Sequence, residues 1–442
     1  MLNVNLNATN QSVVIPSSTT ATQESTLPEP VLTLLNDSTT LEAPYSPETL
    51  QTQLQQQKAA VRSTPADPRN IESDISDSML DAIDKSAVEL EIIGMWAEGG
   101  QAGFQAALEL IGQPLLDLKN PTGSENEDIF QLAMLDLLIH AKEYGTADDA
   151  NFMQQLSFSL EYIGTGQHNT WVAALPSPEQ AHGSTKTSAN NGIDNNHLVK
   201  MANNVWKKMK ELIGNNTVSS DSLIYKALNK LSGGTGNISA TLPQSVYDQL
   251  YTADANGNHL TTESAYFNPN NGGWITSSNN KMSPLMRLVF LSNMLKDNPE
   301  MSKGTLETIL KGNLKEINDL TPKNNQYQHV YDYICKFDDL KTNTISTTPA
   351  YDKGWENSSF GESSHGQGGY KPSGVNIALD FNGSLNTDWL NNLYQNYPQR
   401  VLGDEDIKEI NRIGDNVKMI QQTLKYWYQI LRDERLSIAR NI

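Results

Sequence analysis

The chain has 442 residues, with 32 Lys and Arg against 51 Asp and Glu, a formal net charge of −19. That length allows two or three domains, because single cores seldom grow beyond about 250–300 residues, and the charge would repel phosphate backbones, so no nucleic-acid partner is expected. A single cysteine, Cys335, leaves no intramolecular disulfide, and the most apolar run, Ile129 to Ala141, is interrupted by Gln131 and Asp136. The run is also shorter than the about twenty residues a spanning helix needs, so no transmembrane insertion is expected.

Met1 to Gln23 carries no charged residue and is dominated by Asn, Ser, Thr and Gln. It lacks the basic start and apolar run of a Sec-type signal and the Arg-rich pattern of an organelle signal. Up to about residue 73 the chain mixes Ser, Thr, Gln and seven prolines with few large apolar groups, which predicts a disordered N-terminus over 1–73. Ile75, Met79, Leu80, Ile83, Val88, Ile92 and Trp96 then approximate a helical stripe, predicting a first core helix over 74–98 that ends at Gly99-Gly100. Further helices are predicted at 104–111, 128–144, 147–163, 197–213 and 220–231, each followed by a glycine, with Thr146 and Asp149 spaced as in a capping box. Together they define a helical domain over 74–232.

Residues 233–400 read as a mixed α+β insertion, rich in Asn and Gly, with a helical middle. Asn256-Gly257 between Tyr251 and Leu260 is a hairpin signal, because that dipeptide tolerates the positive φ angles of such turns. Leu285, Leu288, Leu291 and Leu295, then Leu306, Leu310, Leu314 and Ile317, return to helical spacing. The segment 401–442 carries the clearest pattern: Ile410, Ile413, Val417, Ile420, Leu424, Trp427 and Leu431 alternate spacings of three and four, a heptad seam. It predicts one long helix with coiled-coil character and a helix-pairing role for those seven residues, at a cost of about 1 kcal/mol for Gly414 inside it. The fold class is therefore mainly α, a helical bundle or coiled coil with a small mixed insertion.

No two of the seven histidines (His140, His168, His182, His197, His259, His329, His365) stand three or four apart, so no helix offers the paired imidazoles of a zinc hydrolase. Asp254, Asn256 and Asn258 have the first spacings of a calcium loop, but His259 occupies the place of its glycine and Ala265 that of its closing glutamate, which favours the hairpin. The stretch Gly361 to Gly369, containing Ser363, Ser364 and His365, lacks both the phosphate-loop lysine and the nucleophile-elbow pattern, and reads as a solvent loop. Cys335 reads as a buried apolar residue. Adjacent carboxylates such as Asp338-Asp339 or Glu405-Asp406 do not face one another on a helix and carry little information. Trp274, Trp355, Tyr370 and Trp389, set among Asn, Gly and Ser, are candidate ligand-stacking residues for a sugar ring. No catalytic, metal-binding or cofactor-binding residue is assigned, and no cofactor is expected.

Two pieces of the chain resemble substrates of bacterial type III secretion systems. The leader MLNVNLNATNQSVVIPSSTTATQ, residues 1–23, resembles their uncleaved export signals, and NVKMIQQTLKYWYQILRDERLSIARNI, residues 416–442, is similar to the C-terminal helices of needle, filament and tip subunits. Tip proteins of that class also place a mixed α/β region between an N-terminal helical part and the final helix. The resemblance implies a virulence-associated interaction protein, cytoplasmic before export and then secreted or held at the bacterial surface. It would act through contacts with protein partners (the secretion apparatus, a chaperone or a host protein) as a tip or filament component, with oligomer formation open, or as an effector. The alternative is a secreted hydrolase or a glycan-binding protein using the aromatic residues of the Asn/Gly-rich loops.

Overall fold

The computed structural model describes residues 27–63, 71–163, 177–180, 196–250, 281–322, 330–335 and 387–440. All regular structure among the described residues is helical. The order begins with α1 (Glu29–Asn36), α2 (Pro47–Ser63) and α3 (Ile71–Glu98), and continues with α4 (Gly100–Asp117), α5 (Ser124–Ile139), α6 (Ala150–Tyr162), α7 (Asn196–Gly214), α8 (Leu223–Leu231) and α9 (Gln244–Leu250). Then come α10 (Pro284–Asp297), α11 (Lys303–Lys311), α12 (Leu314–Leu320), α13 (Val330–Cys335), α14 (Thr387–Gln395) and α15 (Asp404–Arg440), with a 3-10 turn at Pro178–Gln180 before α7. The chain divides into a terminal unit, up to Leu90 and from Ile410, and a central unit, Glu91–Glu409. The division falls at 90/91 and 409/410, beside boundaries expected at 73, 232 and 400: most of the expected helical domain shares one unit with the insertion, and the last helix from Ile410 on belongs with the N-terminal segment.

Order also starts far earlier than residue 73. Residues 1–26 lie outside the described residues, but α1 and α2 occupy much of the stretch read as disordered. The buried positions of α2, Leu50, Gln53, Leu54, Gln57, Ala60 and Val61, follow helical spacing, with glutamines standing where a periodicity search looks for apolar side chains. α1 adds Val31 and Leu34, and the loop between the two helices adds Leu41 and Tyr45. In α3, Ile83, Ser86 and Leu90 are buried, whereas Val88 is 53 % exposed and lies off the stripe assigned to it.

The central unit is built around α5, which is buried at nearly every position from Ser124 to Leu138 and packs on α4, α6, α8, α9, α10 and α14. A helix apolar on all sides is a core helix, and α10, buried from Pro284 to Leu295 apart from two positions, is a second one. This unit holds one continuous apolar cluster running from Trp96 to Tyr397. The two polar interruptions of the α5 run serve that core. Buried Gln131 donates to Ile163 O at 2.8 Å and accepts from Leu285 N at 3.0 Å, which ties α5 to the end of α6 and the start of α10. The start of α6 differs from expectation: Asp149 is the cap, accepting from Phe152 N at 2.9 Å, while Thr146 is buried and donates its hydroxyl to Ala141 O.

The mixed α+β character of 233–400 is not seen: its described residues are helical or irregular, and the hairpin signal falls within 251–280, outside the described residues. A further pin of the central unit is Arg400, 4 % exposed. It donates from Nη1 to Asp406 Oδ1 at 2.8 Å and from Nε to Met301 O at 2.8 Å, while its backbone N–H bonds Trp96 O. Asp406, in a carboxylate pair dismissed on sequence grounds, is therefore a buried ion-pair partner. Beside it Gly99 has φ +68°, and a Cβ there would come within 2.8 Å of the Gln399 backbone, so a close approach of two chain segments requires the glycine.

Candidate functional site

A cleft of about 230 Å³ in the central unit combines a polar cavity with a histidine and several carboxylates. One wall is the outer face of α4, where Gln105, Glu109 and Gln113 recur every four residues. The floor comes from Asp136 in the last turn of α5 and His140, its C-cap residue, with Glu143 and Tyr144 in the turn that follows. The third wall is the approach to α8, with Asp221, Ser222 and Lys226.

Asp136 organises the floor. Its side chain is 7 % exposed; Oδ2 accepts from Ile224 N at 3.2 Å, at the start of α8, and Oδ1 lies 3.0 Å from His140 Nδ1. The same ring nitrogen lies 3.0 Å from Asp136 O, so the carboxylate and the helix end share one Nδ1–H and leave Nε2 without a hydrogen bond among the described residues. The hydrogen bond to Asp136 raises the His140 pKa; burial opposes this, and the charges of Asp136 and Glu143 add to it. A helix C-terminus favours the imidazolium in the same sense. Tyr144 and Tyr394, with ring centres 5.4 and 6.4 Å from the imidazole, are also raised, mainly by burial and further by the carboxylates of Asp136 and Glu143.

Ser222 is not poised as a nucleophile. Its hydroxyl donates to Ser219 O at 2.7 Å and accepts from Tyr225 N at 3.1 Å, the work of an N-cap. The arrangement therefore offers an oriented imidazole above a ring of carboxylates, suited to binding a positively charged group. No group of three or more His, Cys, Asp or Glu able to hold a metal occurs among the described residues.

The seven seam residues of α15 are brought into the terminal unit. Ile410, Ile413, Val417, Ile420 and Leu424 are buried, while Trp427 and Leu431 are half-buried. Past Leu424 the buried position passes to Tyr428, and Gly414 and Gln421 join the face. That is the drift of a 3.6-residue helix against a 3.5-residue repeat, and it departs from strict heptad packing. The face meets the N-terminal segment through polar contacts. Gln57 Nε2 donates to Val417 O at 3.0 Å, Gln421 Nε2 donates to Gln53 Oε1 at 2.8 Å, and Gln53 Nε2 donates to Asp37 Oδ2 at 2.7 Å. Tyr45 donates its hydroxyl to Asp415 at 2.7 Å, and its ring covers Gly414 so closely that a Cβ there would fall on ring atoms.

Of the candidate stacking residues, Trp274, Trp355 and Tyr370 lie outside the described residues, as does the Ser363–His365 loop. Trp389 is half-buried on α14 and packs against the core. Sequence reasoning missed the Asp136–His140 pair although its spacing of four was visible, because Asp136 counted there only as a break in an apolar run. No family model, no curated protein and no solved structure matches the chain.

Proposed function

We propose that the protein acts through protein–protein contacts made by its terminal unit, as a bacterial protein exported by type III secretion and working at the cell surface or beyond. The observation that carries this reading is the way α15 is covered. Its face of Ile413, Val417, Leu424 and Tyr428 is buried within the terminal unit, and α2 and the loop before it meet that face through Gln53, Gln57 and the Tyr45 ring. Interfaces that exchange partners resemble this mixture of apolar anchors and amide hydrogen bonds more than they resemble a domain core. Met419, Tyr426 and Ile430, 59 %, 68 % and 40 % exposed, add an apolar strip on the opposite side of the same helix.

The export half of the proposal rests on the uncharged Met1–Gln23 stretch and on the likeness of residues 416–442 to secreted helical subunits. The full chain, tagged at its C-terminus, is to be produced in a bacterium with a type III system, with and without a working export ATPase. Recovery from the medium only with the active ATPase supports the reading. Retention in both strains, or release in both, overturns it. The cleft around His140 supports a separate ligand-binding capacity.

A further inference from the structure

We propose that the cleft between α4, α5 and α8 binds a compact organic cation: an ammonium or guanidinium group, carried either by a small amine or by a Lys or Arg side chain of a partner. The inference concerns the central unit alone and stands whether or not the export reading holds.

The geometry selects charge, size and donor pattern. Glu109, Asp136, Glu143 and Asp221 line the space, against the exposed ammonium of Lys226 and, when it is protonated, the His140 ring paired with Asp136, so the carboxylates outnumber the cations in either state. Among the described residues Glu143, Asp221 and Lys226 make no ion pair, so the rim carboxylates are not neutralised from within. An anion would meet that field unfavourably, and a neutral polyol would leave it unrelieved. At about 230 Å³ the cavity lies below the range of roughly 300–1,000 Å³ common for drug-sized ligands, which limits the occupant to one cationic head and a short stem.

His140 supplies directionality. With Nδ1–H held by Asp136, the neutral ring presents Nε2 as an acceptor, so an N–H of the cation can donate to it while the carboxylates accept the others. Tyr144, whose ring packs on the imidazole, adds an aromatic wall of the kind that attracts cations. The carboxylates of Asp136 and Glu143 also contribute to the raised pKa values of His140, Tyr144 and Tyr394, after the Asp136 hydrogen bond in the first and burial in the two tyrosines.

Two features follow. Cation and proton compete, so occupancy must lower the His140 pKa; the groups that set this balance are Glu109 on α4, Asp136, Glu143 and Tyr144 on and after α5, Asp221 and Lys226 at α8, and Tyr394 on α14. Binding must also weaken with salt, because much of the lining is solvent-exposed.

The test titrates agmatine, putrescine and a short capped peptide with one arginine into the full-length protein by calorimetry, with glucose and acetate as neutral and anionic probes. The His140 ring resonances are followed by NMR in parallel. The expected result is saturable one-to-one binding of at least one cation, a fall in the His140 pKa at saturation, and a loss of about tenfold or more in affinity in Glu143→Gln/Asp221→Asn. Those two residues are exposed, so the variant should fold; an unchanged far-ultraviolet spectrum and melting temperature check this. Binding of the peptide but not the amines identifies a partner's side chain as the occupant, and the reverse identifies a free amine. No saturation by any cation up to about 10 mM, or binding of glucose or acetate as tight as the cations, overturns the proposal.

Discussion

The two units solve the problem of burying a helix differently. The central unit encloses α5 and α10 in apolar side chains and is cross-tied by a few bonded polar groups, Gln131, Asp136 and the Arg400–Asp406 pair, while the hydroxyls of Ser124, Ser292 and Thr321 are buried without a partner among the described residues. In the terminal unit the buried stripe of α2 alternates leucine with glutamine, and a chain of amides from Asp37 through Gln53 to Gln421 runs along the α15 face. An apolar core gains most of its stability from area removed from water. A glutamine ladder adds little net energy per bond but leaves costly unpaired groups if the register slips, so it specifies one alignment. The comparison teaches that the central unit is held by burial and the terminal unit by burial plus register.

The hardest test of that contrast removes residues 1–63. α15 would then expose Ile413, Val417, Leu424 and Tyr428, each worth about 1.5–3 kcal/mol when fully buried. That sum is comparable with the whole stability of an ordinary domain. The truncated chain should lose more helicity than the excised residues account for, and amide exchange protection over 410–428 should disappear while α5 and α10 keep theirs. Unchanged thermal unfolding, the outcome expected if this segment were a disordered leader, would show that the N-terminal helices contribute nothing.

The next effect probes a pin of the central unit. Arg400→Ala leaves the Asp406 carboxylate buried with only the Gly403 N–H as partner and should cost about 3–5 kcal/mol. A double change, Arg400→Met with Asp406→Leu, should recover much of that loss, because an apolar pair removes both charges together. Chemical denaturation of the three proteins gives the numbers. A single-variant cost below 1 kcal/mol would mean that the pair is not dehydrated.

What could be read from the sequence follows the same division. In the central unit the periodic apolar runs located most helices: those expected at 104–111, 128–144, 147–163, 197–213 and 220–231 correspond to α4 to α8 with ends shifted by a few residues, whereas the short α9 and α14 were not expected. α1 and α2 were hidden because glutamines fill buried positions and prolines sit at helix starts, where they are tolerated. The α15 face was legible as far as Leu424, but a heptad template carried it to Trp427 where an undistorted helix turns to Tyr428. The His140 cleft was hidden for another reason: its three walls come from segments some 20 to 121 residues apart, and the local signal was confined to residues 136–144. Lys425, beside the buried face of α15, donates to Asp37 O.

A smaller effect reverses an ordinary rule. Gly→Ala within a helix usually gains about 1 kcal/mol. At Gly414 the new methyl would collide with the Tyr45 ring, so Gly414→Ala should instead destabilise the terminal unit by about 1–3 kcal/mol. In a Tyr45→Ala background the obstruction is gone, and the same substitution should become stabilising. A change of sign between the two backgrounds, read from denaturation midpoints, is the signature; equal effects would place Tyr45 elsewhere in solution.

The smallest effect belongs to His140 and sets the polar pins of the central unit against pH. Its folded-state pKa lies above the ordinary histidine value, chiefly because Asp136 accepts the Nδ1–H, so the folded protein holds that proton more tightly than the unfolded chain. For a raised value the sign is fixed. The contribution is fully present below the unfolded pKa of about 6.5 and is lost as pH rises through the folded value. The central unit should therefore melt at a slightly higher temperature at pH 6 than at pH 8. Asp136→Asn should flatten that dependence, since the amide oxygen can still accept from Ile224 N but carries no charge for the imidazolium. Asp37 in the terminal unit moves the opposite way. Burial pushes its carboxyl up, but hydrogen bonds from Thr39 and Gln53 and the charge of Lys425 together hold it below its usual value. Its contribution is present above pH 4 and is lost as pH falls through the lowered value. Melting curves taken from pH 3 to pH 8 should thus show the terminal unit weakening at the acid end and the central unit weakening toward the alkaline end. If both units follow one common profile, these two groups do not set it.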